Sequence, residues 1–121
     1  MLKKKLGKYE EAIKDYDMAI ELDHNYTYAY NNRGFAKDCL HKYEDSIKDY
    51  DKAIELNPNN IDAYNNRGFT KYYLGEYEDS IKDYDKAIEL NPNYSAAYYD
   101  RGNAKKNWVN MKKLLKIMIW L

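Results

Sequence analysis

Hydrophobic and polar residues recur along this chain with the period of an amphipathic helix. Within residues 43–54, and again within 77–88, tyrosine, isoleucine and small side chains return at steps of three and four residues. This spacing indicates helices with one buried face. An Asn-Pro-Asn triplet follows each of them, at 57–59 and 91–93. Proline ends a helix because it has no amide hydrogen and disfavours a helical residue before it.

Another helix is predicted ahead of each of these, over about residues 28–40 and 62–74. Residues 27–60 and 61–94 are identical at 26 of 34 positions, so the chain contains an internal repeat. Each repeat is therefore expected to be a hairpin of a first and a second helix.

The 34-residue period divides the chain into an array and a tail. The array covers residues 1–107, with a partial repeat at 1–26, full repeats at 27–60 and 61–94, and the first helix of a further repeat at 95–107. The chain thus begins within a repeat. His24 replaces the helix-ending proline of the partial repeat, so a weaker helix end is predicted there.

Some repeated residues are unusual for their positions. Gly34, Gly68 and Gly102 lie in the middle of predicted helices, where glycine costs about 1 kcal/mol against alanine, so close helix packing is expected. Arginine and lysine also recur at positions 7 and 11 of each repeat. We expect their stems to pack and their charged ends to reach solvent.

These features together resemble the tetratricopeptide repeat family. The resemblance rests on an aromatic residue at position 4, Gly at 8, Tyr at 17, Ala or Ser at 20, Tyr at 24, Ala at 27 and Pro at 32, and it covers residues 1 to about 107. It implies an all-α superhelix of stacked helical hairpins. It also implies that the first helices line a concave surface, where partners commonly bind.

The resemblance places one polar and aromatic set of residues on that concave surface. Asparagine both donates and accepts hydrogen bonds, and exposed aromatic rings offer apolar contact, so the set suits an extended polypeptide. The alternative is that the rings simply cover neighbouring helices. The predicted groove comprises Tyr28, Asn31, Asn32, Phe35, Asp38, Cys39, Asp62, Asn65, Asn66, Phe69, Tyr72, Tyr73, Tyr99, Asp100, Asn103 and Lys106. The predicted function is a protein-interaction scaffold.

Members of the resembled family that hold acidic chaperone tails use lysines and an arginine as a basic clamp. Asn32 and Asn66 match only the clamp's asparagine at position 6. Its basic positions are filled by Asn31 or Asn65, Tyr28, Asp62 and Asp100. Binding of chaperone tails is therefore not expected.

Composition narrows the possible functions further. Twenty basic and 20 acidic residues give a formal net charge of zero, which argues against nucleic-acid binding. Cys39 is the single cysteine and no secretory signal is evident, so a cytoplasmic location is predicted. His24 and His41 occupy unrelated repeat positions, which disfavours a metal site. Acidic pairs such as Glu44 and Asp45 recur on the exposed side of the second helix. No catalytic motif is present, so neither an enzyme nor a cofactor is expected.

Residues 108–121 do not continue the repeat pattern. A reading frame displaced by one base at codon 107 can encode a sequence that matches residues 6–19 at 13 of 14 positions. We therefore hypothesise a frameshifted fourth repeat, which the nucleotide sequence would decide. The segment is too short and too basic to span a membrane. Attachment to a membrane surface, a truncated fragment without independent function, and self-association through uncapped ends remain alternatives.

Overall fold

The computed structural model describes residues 2–121, which form helices and no strands. The elements are α1 (Leu2–Leu22), α2 (Thr27–Cys39), α3 (Tyr43–Leu56), α4 (Ile61–Tyr73), α5 (Tyr77–Leu90) and α6 (Ser95–Trp120). The pairs α2 with α3 and α4 with α5 are the two predicted hairpins, and the predicted all-α class is confirmed.

Asparagine or aspartate side chains shape the ends of the second helices. The side chain of Asn57 accepts a hydrogen bond from the backbone N–H of Asn59 at 3.1 Å. Asp23 accepts the equivalent bond from Asn25 at 3.0 Å, so α1 ends at the same repeat position although His24 replaces the proline. This local turn stabilises the helix end because it replaces backbone bonds that the helix no longer makes.

The stacking of the helices identifies the concave side. The first helices touch one another, α2 against α4 and α4 against α6. Within residues 2–121, the second helices α1, α3 and α5 make no such contacts with each other. The array therefore curves toward its first helices, and α2, α4 and α6 line the concave surface.

The repeated glycines allow close packing where a complete hairpin exists. A Cβ placed on Gly34 would lie 2.7 Å from Cε1 of Tyr50, and one on Gly68 would lie 3.0 Å from Cε1 of Tyr84. Both tyrosine side chains are fully buried. Around Gly102 nothing lies within 4 Å, because no second helix packs against this part of α6.

The repeated arginines do not extend their charged ends into solvent, so that expectation was wrong. Arg33 donates Nε and Nη2 to buried Asp49 at 2.9 and 2.7 Å, and Nη1 to exposed Asp17 at 2.9 Å. Its partners lie 16 residues before and 16 residues after it. Arg67 repeats the arrangement with Asp51 and Asp83. Each of these two arginines thus joins three successive helices. The buried aspartate in each set needs a charged partner, and the arginine provides it.

The fourth repeat is left incomplete. Arg101 bonds to Asp85 at 2.9 Å, but the position 16 residues after it holds Ile117. Instead of turning back, α6 runs straight through to Trp120 and leaves Leu114 and Met118 exposed. Among the helices of residues 2–121, none is long and apolar enough to cross a membrane.

Candidate functional site

The concave surface contains a pocket between α2 and α4, which we call the aromatic pocket. Its volume is about 250 Å³. It is lined by Phe35, Asp38, Cys39, His41, Tyr43, Asn66, Phe69, Thr70 and Tyr73. Six of these residues belong to the predicted groove. The pocket is therefore the place where the structure brings the largest part of the predicted set together.

Aromatic rings form a continuous row along this pocket. His41 stacks on Tyr43 with ring centroids 5.7 Å apart, and Tyr43 stacks on Tyr73 at 6.0 Å. Phe69 meets Tyr73 edge to face at 5.0 Å. Phe35 stands 53% exposed and Phe69 43% exposed, although both are large apolar side chains. The row offers ring faces and edges to a ligand instead of burying them between helices.

Asp38 is more enclosed than a side chain projecting freely into a groove. Its Oδ1 accepts from the Ser46 hydroxyl at 2.5 Å, and its Oδ2 accepts from the hydroxyls of Tyr50 and Thr70 at 2.6 and 2.8 Å. Burial raises the pKa of Asp38, and the three hydrogen bonds oppose that rise. The expectation of a solvent-facing aspartate is corrected, because the half-buried carboxylate links α2 to both α3 and α4.

The predicted asparagines divide between solvent and the helix interface. Asn66 donates Nδ2 to Oδ1 of Asn31 at 3.3 Å, which joins α4 to α2 beside the aromatic pocket. Asn32 is exposed. Asn65 is half-buried, and its Oδ1 has no hydrogen-bond partner. Asparagine amides therefore lie along both α2 and α4, and Asn32 and part of Asn66 are available to a ligand.

Two predicted groove residues lie elsewhere. Tyr28 and Asp62 line a separate, wide depression of about 510 Å³ at the start of their helices, together with Asn60 and Tyr94. They are exposed, but the structure does not bring them to the aromatic pocket. Tyr28 and Asp62 lie in the first turns of α2 and α4, and this position along the helices keeps them away from the aromatic pocket.

The remaining predicted residues belong to α4 and α6. Tyr72 is half-buried, contacts the ring of Tyr77 edge to face, and accepts a hydrogen bond from Asn107. The interpretation that aromatic rings cover neighbouring helices therefore applies to Tyr72. On α6, Tyr99 and Lys106 are exposed, whereas Asp100 and Asn103 are half-buried, and burial raises the pKa of Asp100.

Sequence reasoning missed three residues of the aromatic pocket. The helical spacing predicted that Tyr43 belongs to the buried face of a second helix, His41 replaces the turn glycine of the next repeat, and Thr70 was assigned to neither face of its helix. The fold places the start of α3 and the turn before it against α4, and that contact between repeats brings Tyr43 to Tyr73. A projection of one helix shows which of its own residues share a face. It cannot show which residues of another helix or turn complete a pocket.

A metal site needs several converging ligand side chains. Across residues 2–121, no three His, Cys, Asp or Glu side chains converge as metal ligands. What the concave surface offers is exposed rings, amides and one partly enclosed carboxylate. These groups can bind a ligand through stacking and hydrogen bonds.

Stacked helical hairpins with a lined concave surface define a helical-repeat solenoid. Sequence profiles then identify the family: one described as "TPR repeat" matches residues 3–37 and 40–73, and two described as "Tetratricopeptide repeat" match 61–94 and 83–116. The chain belongs to the tetratricopeptide repeat family. A comparison with curated protein sequences gave no significant match.

Solved structures of tetratricopeptide repeat domains have the same fold. The first such domain of Spaghetti (RPAP3), bound to the HSP90 peptide SRMEEVD, is 30% identical with a TM-score of 0.83, and the match covers 87% of this chain and 83% of that one. The second domain of human RPAP3, in complex with the HSP70 peptide SGPTIEEVD, is 31% identical with a TM-score of 0.78, covering 84% of each chain. An Arabidopsis OM64 domain is 26% identical with a TM-score of 0.81, covering 84% of each.

Proposed function

We propose that this protein is an interaction scaffold whose concave groove binds an extended segment of another polypeptide. The observation that carries the proposal is the row of exposed aromatic side chains around the aromatic pocket, together with Asn66, which lines the pocket, and Asn32, which is exposed on the same helix as Phe35. Apolar rings left in solvent on a concave surface favour a partner, since covering them is worth about 25 cal/mol per Å² of apolar area. The amides supply hydrogen bonds for the partner's backbone.

The partner is expected to differ from the acidic peptides held by the two RPAP3 domains. Clusters of cations bind carboxylates, and the corresponding positions here hold Asn31 or Asn65, Tyr28, Asp62 and Asp100. The repeated arginines cannot substitute for them, because Arg33 and Arg67 are engaged by aspartates on the second helices. We therefore expect SRMEEVD and SGPTIEEVD to bind weakly or not at all.

A peptide array of random dodecamers, with both acidic peptides included, tests this proposal. The variant Asn66→Ala with Phe69→Ala removes one amide and one exposed ring of the groove. It should lose most of the peptides that the wild-type protein retains, while its urea unfolding changes little.

Glu44→Ala is the matched control, because Glu44 is exposed on the second helix α3 and does not line the aromatic pocket. It should keep the wild-type pattern. If the double variant retains the same peptides as the wild type, the groove is in the wrong place. If it unfolds, these side chains belong to the core and the assignment also fails.

A further inference from the structure

The carboxylate of Asp38 lies in the aromatic pocket without a cation. Among residues 2–121, it forms no salt bridge within 4.0 Å, whereas the more deeply buried Asp49 and Asp83 each hold an arginine and a lysine. Its three hydrogen-bond donors are neutral hydroxyl groups. A carboxylate accepts about four hydrogen bonds, and Oδ1 receives only one, so it can accept one more donor.

This charge decides which kind of side chain the aromatic pocket suits. An apolar side chain seated there would remove more water from the carboxylate without replacing the lost hydrogen bonds, which is unfavourable. A carboxylate from the partner would repel it. A cation would instead neutralise the charge and donate to the free position on Oδ1.

The walls of the pocket favour the same choice. Aromatic faces attract ammonium and guanidinium groups within about 6 Å of the ring centre, most strongly where water is excluded. Phe35, Phe69 and Tyr73 line the pocket beside Asp38. His41 is the one lining residue with a basic side chain, so the pocket contains no lysine or arginine that would repel a cation.

We propose that the aromatic pocket receives one arginine or lysine side chain of the bound polypeptide, with its charged end on Asp38 and its aliphatic stem against Phe35 and Phe69. This inference rests on the proposed function, because it specifies one residue of the segment held in the groove. The ligand is thus a polypeptide with a basic residue at this point, opposite in charge to the acidic peptides of the related domains.

The neighbouring repeat does not build a second pocket of this kind. The position 34 residues after Asp38 holds Tyr72, whose hydroxyl is bonded to Asn107. The position 34 residues before Thr70 holds Ala36, which is buried. Asp38 and Thr70 therefore combine only between the first and second full repeats, and a single basic side chain sets the register of the bound segment.

Heptapeptide libraries with a fixed central residue test the proposal. The flanking positions are mixtures of Ala, Ser, Leu, Tyr and Gln, and the central residue is Arg, citrulline, Lys, norleucine or Glu. Citrulline keeps the shape of arginine and removes its charge. Immobilised full-length chain should retain the Arg and Lys libraries roughly tenfold more than the citrulline and norleucine libraries, and retain the Glu library least.

Asp38→Asn should abolish the preference for Arg over citrulline, and Glu44→Gln, which removes the same charge outside the groove, should preserve it. Phe69→Leu leaves the hydrogen bonds of Asp38 intact and should reduce the preference about threefold through loss of the ring. Should Asp38→Asn fail to fold by circular dichroism, the Phe69→Leu result decides.

The possible outcomes separate the two proposals. Equal retention of the Arg and citrulline libraries by the wild type overturns the basic-residue inference but leaves groove binding standing. Retention of no library at all overturns the proposed function itself. An unchanged Arg preference in either pocket variant shows that the basic side chain binds elsewhere, and the inference is then wrong.

Discussion

The three repeated glycines provide a matched series for the packing of the hairpins. Alanine at Gly34 would place its Cβ 2.7 Å from the ring of Tyr50, which cannot swing away because its hydroxyl is held by Asp38 at 2.6 Å. At Gly68 the nearest ring atom, on Tyr84, is 3.0 Å away. Within the part of the chain that the structure describes, the hydroxyl of Tyr84 has no hydrogen-bond partner, so this ring is less firmly held than that of Tyr50. At Gly102 the new methyl group meets nothing.

The expected magnitudes follow from two opposing effects. Replacing a mid-helix glycine by alanine contributes about 1 kcal/mol to helix stability. Overpacking a close contact costs about 1 to 3 kcal/mol. Gly102→Ala should therefore stabilise the protein by up to about 1 kcal/mol. Gly34→Ala should destabilise it by about 0 to 2 kcal/mol, and Gly68→Ala should fall between them.

Thermal unfolding followed by circular dichroism measures the series. At about 4 °C per kcal/mol for a chain of this size, the melting temperatures of Gly102→Ala and Gly34→Ala should differ by roughly 4 to 12 °C. Gly68→Leu, a larger change at a close contact, should lower the melting temperature well below that of Gly68→Ala. Equal shifts for all three alanine variants would refute the idea that the second helix determines the need for glycine.

Two further predictions concern the turn and the buried charges. His41 adopts a left-handed φ of 61° where the next repeat has Gly75 at 79°. In urea unfolding, His41→Gly should therefore stabilise the protein by about 1 kcal/mol, and Gly75→His should destabilise it by a similar amount. Changes of the opposite sign would contradict this account. Asp49→Asn leaves the guanidinium of Arg33 without its buried partner and should cost about 3 kcal/mol. Asp15→Asn, at the same repeat position but exposed in α1, should change the unfolding free energy by less than about 0.5 kcal/mol, and equal effects would mean that burial of the pair is unimportant.

The sequence determined the elements and their order. The 34-residue period, the apolar spacing of the second helices and the Asn-Pro-Asn triplets can all be read from the chain itself. Helix formation responds to such local spacing and to helix-ending residues. Residues 28–40 and 62–74 were accordingly predicted within one or two residues of α2 and α4. Val109 occupies the repeat position of the turn residues His41 and Gly75, and α6 continues through it into the tail.

Only the tertiary structure decided which groups meet across repeats. Arg33 and Asp49 carry opposite charges in the sequence, but nothing local distinguishes a buried pair from two solvated side chains, because burial depends on the helix that packs over them. The same holds for the aromatic pocket, whose walls come from α2, α4 and the turn before α3. The family resemblance placed Asp38 on the concave surface, yet its enclosure by Ser46, Tyr50 and Thr70 arises because α2, α3 and α4 come together. Periodicity describes the faces of one helix, whereas a binding pocket is a property of several helices in contact.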